Sequence, residues 1–193
     1  MTTDDVFRAL RQIVTHLRAA GGEFALVGGI AVSVRGEVRF TRDVDVALAV
    51  EDDHAAARLV RFLSSVGYVP LATVEQDAVG RLSTVRLRSS SGVTVDLLFA
   101  SCGIEQEVVA RATGVELPDV GLVPVAEPEE LLAMKILSMT DRRLQDRIDA
   151  DRLISRNPNL DLIRVRANLS LIESRGFHRE QDLQSKLDQV LAK

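Results

Sequence analysis

Two short stretches decide the fold: FALVGG at residues 24–29 and RFTRDVDV at residues 39–46. The first is an all-apolar run that ends in two glycines, which is typical of a strand buried on both faces and followed by a turn. The second opens another strand, on which Asp43 and Asp45 share one face while the intervening valines face the core. The pattern therefore places two carboxylates on one strand face, close to a glycine turn.

A later stretch, VTVDLLF at residues 93–99, supplies a third acid. Asp96 lies in an otherwise apolar strand, where a carboxylate is costly unless a positive charge meets it. Two carboxylates 4 Å apart repel by roughly 4 kcal/mol at an effective dielectric of 20, so the trio makes sense as a cation cage. Oxygen ligands favour Mg²⁺ or Mn²⁺, and Asp43, Asp45 and Asp96 are the candidate metal ligands.

Gly28 and Gly29 lead into a predicted short helix at 30–36. Bare backbone N–H groups and the helix dipole attract phosphate there, so the two glycines and Thr41 are candidate triphosphate contacts. A Gly-Gly pair alone is usually a turn, and Asp-x-Asp alone is common by chance. The order and spacing of the three motifs favour a nucleotide triphosphate site in which two metal ions activate the attacking oxygen and hold the leaving pyrophosphate.

The rest of the chain predicts a mixed α/β fold with a helical C-terminal part. Before residue 127 the patterns predict helices at 3–20 and 53–66, strands at 24–27 and 44–50, and a hairpin of 81–88 with 93–99. After it they predict helices at 127–140, 142–156, 159–175 and 178–192. We therefore expect an α/β domain at 1–126 and a helical region at 127–193 that packs on it.

Composition excludes several classes of protein. The 193 residues are 46% hydrophobic, enough for a real core, and include one Cys and three His, which leaves no zinc-ligand spacing. An apolar run of roughly 18 residues, as a membrane span needs, is absent from the sequence, and we expect a cytoplasmic protein without membrane contact. Net charge is −4, but residues 142–179 carry nine Arg and five acids, a basic surface suited to RNA phosphates.

Together these motifs resemble the nucleotidyltransferase superfamily typified by DNA polymerase beta. More narrowly the chain resembles the AbiEii-type branch, the nucleotidyltransferase toxins of bacterial toxin–antitoxin pairs. That narrower resemblance rests on ELLAMK at residues 130–135 and DRRLQDRID at residues 141–149. Family members have a Lys at the position of Lys135 and then Lys-Asp-x-x-Asp; here Asp146 and Asp149 match, whereas Gln145 replaces the second Lys.

The resemblance implies a polymerase-beta-like mixed sheet with flanking helices, and transfer of a nucleoside monophosphate from an NTP to an acceptor hydroxyl. Arg39 and Lys135 would neutralise charge developing on phosphate, and Asp96 would also help to deprotonate the acceptor. The family match adds Asp146 to the candidate catalytic residues. The acceptor implied is a tRNA 3′ end, with a cognate antitoxin as a possible partner.

Several alternatives stay open at this stage. Lys135 could lie on an exposed helix face, and Asp146 and Asp149 could form a solvated ion-pair face with nearby Arg. The acceptor could instead be a protein hydroxyl or an aminoglycoside-type small molecule, which would need an acidic pocket. The third rival to a tRNA-modifying enzyme is a binding module without catalysis. The intact set of three acids argues against it.

Overall fold

A computed structural model describes residues 2–76 and 80–192. The helices are α1 (Thr3–Ala19), α2 (Gly28–Arg35), α3 (Asp53–Ser65), α4 (Glu105–Arg111), α5 (Pro128–Ser138), α6 (Leu144–Arg156), α7 (Leu162–Ser174) and α8 (Leu183–Leu191). The strands are β1 (Glu23–Val27), β2 (Asp43–Ala49), β3 (Val69–Gln76), β4 (Arg81–Arg88), β5 (Thr94–Leu98), β6 (Thr113–Leu117) and β7 (Gly121–Val125). The mixed α/β class and the run of helices after residue 127 are confirmed.

The strands form one mixed sheet in the order β3-β4-β5-β2-β1-β7-β6. Its centre is β2, which pairs antiparallel with β1 and parallel with β5, so the two acid-bearing strands are direct neighbours. Strand β4 pairs antiparallel with β5, which confirms the predicted hairpin. Because β1, β2 and β5 are apolar on the core face, this centre is buried and its register is strongly specified.

The helices cover the sheet through one continuous hydrophobic core that includes residues of both predicted parts. Buried Glu130 of α5 accepts hydrogen bonds from Arg111 (2.9 Å) at the end of α4 and from Asn168 (3.0 Å) of α7. These bonds fix α5 against its neighbours, which matters because α5 carries Lys135. The division at residue 126 stays a prediction.

The sequence patterns did not predict four of the elements: β3, α4, β6 and β7. Strand β3 is an edge strand with exposed side chains and a proline at Pro70, so it lacks the alternation of a half-buried strand. The β6–β7 hairpin contains Gly114, Gly121 and Pro124, which read as turn residues. Helix α4 has seven residues, too few for a clear period.

The largest errors in the predicted helix starts are those of α7 and α8. Helix α7 begins at Leu162 rather than 159, because the Asp161 side chain caps it by accepting from the N–H groups of Ile163 and Arg164. Helix α8 begins at Leu183 rather than 178 and is capped by Asp182. In the described part of the chain, no helix combines the length and the apolar character required to span a bilayer.

Candidate active site

One row of residues crosses the centre of the sheet and carries two of the three acids. Val27 of β1 pairs with Asp45 of β2, Asp45 pairs with Asp96 of β5, and Asp96 pairs with Arg86 of β4. Paired residues on neighbouring strands are about 4.8 Å apart and point to the same face. The backbone register alone therefore places both carboxylates and one guanidinium side by side, with Asp43 two residues before Asp45 on the same face.

The glycine turn closes against this row. Gly28 has φ = +63°, and a Cβ there would lie 1.9 Å from Asp45 Oδ2, so any side chain would collide with the carboxylate. The backbone N–H of Gly29 donates to the Asp45 carboxylate, which thereby occupies the start of α2. Gly28 and Gly29 form the first turn of α2 itself, rather than a turn that precedes a helix at 30–36.

The negative charge of Asp45 is not balanced by the nearby cations. Burial, followed by the neighbouring carboxylates Asp96 and Asp43, raises the pKa of Asp45 to about 6. Lys135 and the Gly29 N–H lower this pKa without overcoming the other effects. The site is therefore short of positive charge at the point where the sequence motifs predict metal ions.

Asp96 is met by a positive charge from the adjacent strand. Arg86 Nε donates to Asp96 Oδ1 (2.8 Å) and Arg86 Nη2 donates to Oδ2 (2.7 Å), a bidentate pair. Asp96 is only 7% exposed, whereas the Arg86 side chain is half exposed. The sequence implied that something positive must meet this carboxylate, but it did not identify Arg86.

Lys135 lies inside the protein at the base of the site. Its Nζ contacts Asp146 Oδ1 (2.8 Å) and Asp149 Oδ2 (2.8 Å), and its side chain is 12% exposed. Both acids are buried, so the exposed-helix alternative for Lys135 and the solvated-face alternative for the acids are wrong. Gln145 Nε2 donates to Asp149 Oδ1 (2.8 Å), so the neutral amide that replaces the family's Lys still holds this carboxylate.

Arg39 and Thr41 lie where the loop before β2 folds over α2. A Cβ on Gly29 would be 2.7 Å from Thr41 Oγ1 and 2.9 Å from Arg39 Nη2, so both side chains stand over the first helical turn. Arg39 also pairs with Asp149 at 2.8 Å. Burial opposes ionisation of Asp149, but Lys135, Gln145 and Arg39 outweigh it and lower the pKa of this carboxyl.

These residues line one cleft of about 540 Å³, which we call the polar cleft. Every predicted site residue lies on it: Gly28, Gly29, Arg39, Thr41, Asp43, Asp45, Asp96, Lys135 and Asp146. The lining also includes Arg142, Arg143, Leu144 and Gln145 of the motif at 141–149, whereas sequence reasoning did not identify Arg86. A second cleft of about 360 Å³ adjoins it and shares Asp45, Asp96 and Lys135. We call this second one the apolar cleft, because Val74, Leu98, Leu131, Met134 and Leu137 line it.

The donor set fits a divalent cation only in part. Asp43 and Asp45 offer oxygen ligands from one strand face, and the raised pKa of Asp45 is what carboxylates without their cation would produce. Both oxygens of Asp96 are hydrogen-bonded to Arg86. Within residues 2–76 and 80–192, no three His, Cys, Asp or Glu side chains are already arranged to hold a metal.

Most of the Arg side chains of residues 142–179 are paired with carboxylates of the same chain. Six of its nine Arg form salt bridges, among them Arg164 with Glu129 (3.4 Å), Arg175 with Glu107 (2.7 Å) and Arg152 with Glu37 (3.6 Å). The broad basic face expected from the sequence is thus reduced to a few side chains around the clefts.

The model of the family described as nucleotidyl transferase AbiEii toxin, type IV toxin–antitoxin system, matches residues 8–192. The chain belongs to the AbiEii nucleotidyltransferase toxin family. The match includes the glycine turn, the three acids and Lys135, so this AbiEii-family protein is a nucleotidyltransferase, as its sequence motifs indicated. A search of curated proteins finds no match.

Solved structures share the fold at low sequence identity. An antigenic nucleotidyltransferase-like protein from Paracoccidioides brasiliensis is 20% identical over 97% of this chain and 94% of that one, with a TM-score of 0.52. The antibiotic-resistance factor ANT(2″)-Ia is 14% identical over 100% and 99%, with a TM-score of 0.54. A second structure of ANT(2″)-Ia, in complex with adenylyl-2″-tobramycin, is 14% identical over 90% and 99%, with a TM-score of 0.51. These similarities confirm the polymerase-beta-like nucleotidyltransferase fold.

Proposed function

We propose that this chain transfers a nucleoside monophosphate from an NTP to the 3′-terminal hydroxyl of a tRNA, with Mg²⁺ or Mn²⁺, as the toxin of a toxin–antitoxin pair. The observation that carries the proposal is the convergence of all nine predicted site residues on the polar cleft, although they come from distant parts of the chain. The acceptor oxygen forms a bond to the α-phosphorus while the bond to the bridging oxygen breaks and pyrophosphate leaves.

The NTP lies in the polar cleft. Gly28 and Gly29 line the polar cleft at the first turn of α2, where their backbone would contact the triphosphate, and the hydroxyl of Thr41 stands over the same turn. Arg39 and Lys135 also line this cleft, with Asp149 holding both cations in place. They supply positive charge to the phosphate oxygens, where negative charge develops in the transition state.

The acceptor approaches from the side of β5. Asp96 lines both clefts, so its carboxylate can accept the proton of a hydroxyl entering from the apolar cleft. For this step the pair with Arg86 must loosen, and the half-exposed Arg86 side chain is free to turn toward a phosphate. Asp43 and Asp45, joined by Asp96 once it is released, would hold the divalent cations, which when bound would lower the pKa of the attacking hydroxyl and offset charge on the phosphates.

An RNA acceptor fits the charges of the apolar cleft better than a cationic antibiotic does. Apart from the site acids Asp45, Asp96 and Asp146, the part of the chain that the structure describes contributes no carboxylate to its lining, while Arg143 and Arg179 do line it. An aminoglycoside-type acceptor needs extra carboxylates for its ammonium groups. RNA brings phosphates, which Arg binds, and a tRNA acceptor places the reaction in the cytoplasm.

The test incubates the protein and Mg²⁺ with each α-labelled NTP and, separately, with total tRNA, with lysate protein or with tobramycin. We expect label on tRNA, with one NTP preferred, and no label with Asp45→Asn. Label on protein or on tobramycin alone would replace the RNA acceptor while keeping nucleotidyl transfer. Label that does not depend on a divalent cation would contradict the proposed metal.

The toxin role adds a protein partner. Members of a type IV toxin–antitoxin family are expected to have an antitoxin, and we propose a cognate one here. Co-expression with candidate antitoxins, scored by recovery of growth, tests this part. A chain that leaves growth unaffected while labelling tRNA in vitro would overturn the toxin role alone.

A further inference from the structure

Arg179 stands at the rim of the apolar cleft, outside the set of residues that the family motifs identify. Its Nη2 donates to the carbonyl oxygen of Ser101 (3.1 Å), and within the described ranges 2–76 and 80–192 no carboxylate forms a salt bridge with it. Six other Arg of residues 142–179 form salt bridges, so Arg179 differs from them in keeping its charge available. Among the described residues, it therefore presents to the cleft a cation without an acidic partner.

The backbone at this position is strained. Arg179 and Glu180 have φ values of +55° and +58°, a left-handed conformation that two successive residues with side chains rarely adopt. Such conformations persist only where surrounding structure determines them, and they cluster at functional sites. A continuous helix from residue 178, as the sequence predicts, would be the unstrained arrangement.

Packing of the preceding residue Phe177 helps to hold the strained loop in place. Phe177 lies against Gly103, where a Cβ would come within 2.5 Å of the Phe177 ring. The Gly103 loop is itself fixed by buried Glu105, whose carboxylate accepts from the backbone N–H groups of Ser101 (2.7 Å), Cys102 (2.7 Å) and Gly103 (2.9 Å). Glu105 thus also orients the Ser101 carbonyl that receives the Arg179 guanidinium.

The apolar cleft offers three kinds of contact in a small volume. Leu131 and Met134 provide an apolar wall, the hydroxyls of Ser83 and Ser138 provide hydrogen bonds, and Arg179 provides a positive charge. At about 360 Å³ the cleft is near the lower end of ligand sites, with room for one ring-bearing group rather than a duplex. A single terminal nucleoside, whose ring is apolar and whose 5′ linkage is anionic, has the matching chemistry.

We propose that the apolar cleft holds the terminal nucleoside of the acceptor and that Arg179 binds the phosphodiester on its 5′ side. This inference rests on the proposed transfer to RNA and adds to it a residue that positions the acceptor. Arg179 acts on the acceptor and not on the NTP, because it lines the apolar cleft and is absent from the described lining of the polar cleft.

The test removes the positive charge from the protein and the negative charge from the substrate, first separately and then together. Wild type and Arg179→Ala are assayed on a short RNA hairpin whose last internucleotide linkage is either a phosphodiester or an uncharged methylphosphonate. A hydrogen-bonded charge pair predicts that each single change raises the KM for RNA by roughly tenfold to a hundredfold, and that the second change adds little to the first. The KM for the NTP should not change.

Two variants serve as controls. Arg179→Lys keeps a charge at the same place and should restore much of the RNA affinity. Arg156→Ala removes an exposed Arg of the same helical part that lines neither cleft among the described residues, and it should behave as wild type on both RNAs. Melting temperatures of all variants show whether a loss reflects unfolding.

The outcomes separate the two proposals. Wild type that labels no RNA overturns the RNA acceptor and this inference together. Wild type that labels RNA, with Arg179→Ala within twofold of it or with equal losses on both linkages, leaves the proposed function standing and overturns the role of Arg179. A raised KM for the NTP in Arg179→Ala would also overturn it.

Discussion

Two groups of acids meet at the candidate active site, and they differ in how their charge is balanced. The sheet acids are Asp43, Asp45 and Asp96; the helix acids are Asp146 and Asp149 of α6. Asp149 forms ion pairs with Lys135 and Arg39 and accepts a hydrogen bond from Gln145. These contacts lower its pKa despite its burial. Asp45 lies among other carboxylates and has its pKa raised to about 6.

This difference in charge balance distinguishes acids that stabilise the fold from acids suited to bind a cation. A buried carboxylate that is fully paired orients its partners, and removing it leaves them uncompensated. A buried carboxylate that lacks cations destabilises the free protein and is retained only if something else, such as a bound metal ion, uses it. From this comparison we infer that Asp149 positions Lys135 and Arg39, and we propose that Asp45 binds the metal that the reaction uses.

The largest effect is expected from Asp45→Asn. The amide keeps the shape of the side chain but cannot serve as an anionic ligand, so nucleotidyl transfer should fall by at least roughly 10³-fold. Steady-state transfer of labelled nucleotide measures this loss, and circular dichroism checks that the fold is kept. Transfer at the wild-type rate would show that Asp45 lies outside the site and would contradict the proposed difference between the sheet acids and the helix acids.

The second effect is on stability, and it concerns the helix acids. Asp149→Ala leaves two buried or half-buried cations without their shared partner, so the free energy of unfolding should drop by about 3–5 kcal/mol. Urea denaturation measures it. Asp188→Ala is the matched control, since Asp188 pairs with Arg166 at an exposed position and should cost below about 1 kcal/mol. Equal losses in the two variants would contradict the structural role of Asp149.

The two acids should also respond to pH with opposite sign in metal-free protein. A raised pKa at Asp45 means that the folded state favours the protonated acid, so its contribution is greatest below about pH 4. That contribution is lost as the pH rises through about 6, by about 2–3 kcal/mol. The lowered pKa of Asp149 gives a contribution present above its ordinary value of 3.8 and lost as the pH falls below it.

Unfolding of wild type, Asp45→Asn and Asp149→Asn with EDTA from pH 3 to 7 measures both signs. Asp45→Asn should gain on wild type as the pH rises from 4 to 7. Asp149→Asn should lose least, relative to wild type, at the acid end. Parallel curves for the two variants would mean that the groups of acids are electrostatically equivalent.

The smallest effect is expected from Gln145→Lys, which restores the residue typical of the family. Asp149 already has Lys135 and Arg39 as cationic partners, and Gln145 is exposed apart from its bond to this carboxylate. The extra charge should change stability by less than about 0.5 kcal/mol and transfer by less than threefold. A large gain in transfer would show that the helix acids, too, are short of positive charge.

Local sequence patterns predicted what depends on neighbouring residues. Alternation on one strand placed Asp43 and Asp45 on one face, and the apolar run 24–27 identified the buried strand beside them. Arg86 was missed because its role depends on pairing between strands. Alternation contained a usable signal, since Val85 and Leu87 face the core with Val95 and Leu97, which leaves Arg86 opposite Asp96.

Long-range packing could not be predicted in the same way. No local pattern indicates that Asp149 on α6 meets Arg39, 110 residues earlier in the chain. The start of α8 was misplaced because residues 178–182 have helical composition, while contacts with the Gly103 loop hold Arg179 and Glu180 in another conformation. Tertiary contacts outweighed local propensity there.

The row Val27–Asp45–Asp96–Arg86 also limits how this protein can change in length during evolution. The row crosses four strands, and one inserted or deleted residue within β2 or β5 would turn every following side chain of that strand to the other face. Loops between these strands can vary freely, because they do not alter the row. Relatives should therefore differ in length at loops such as the one between β4 and β5. Within the four strands, the number of residues around each member of the row should stay the same.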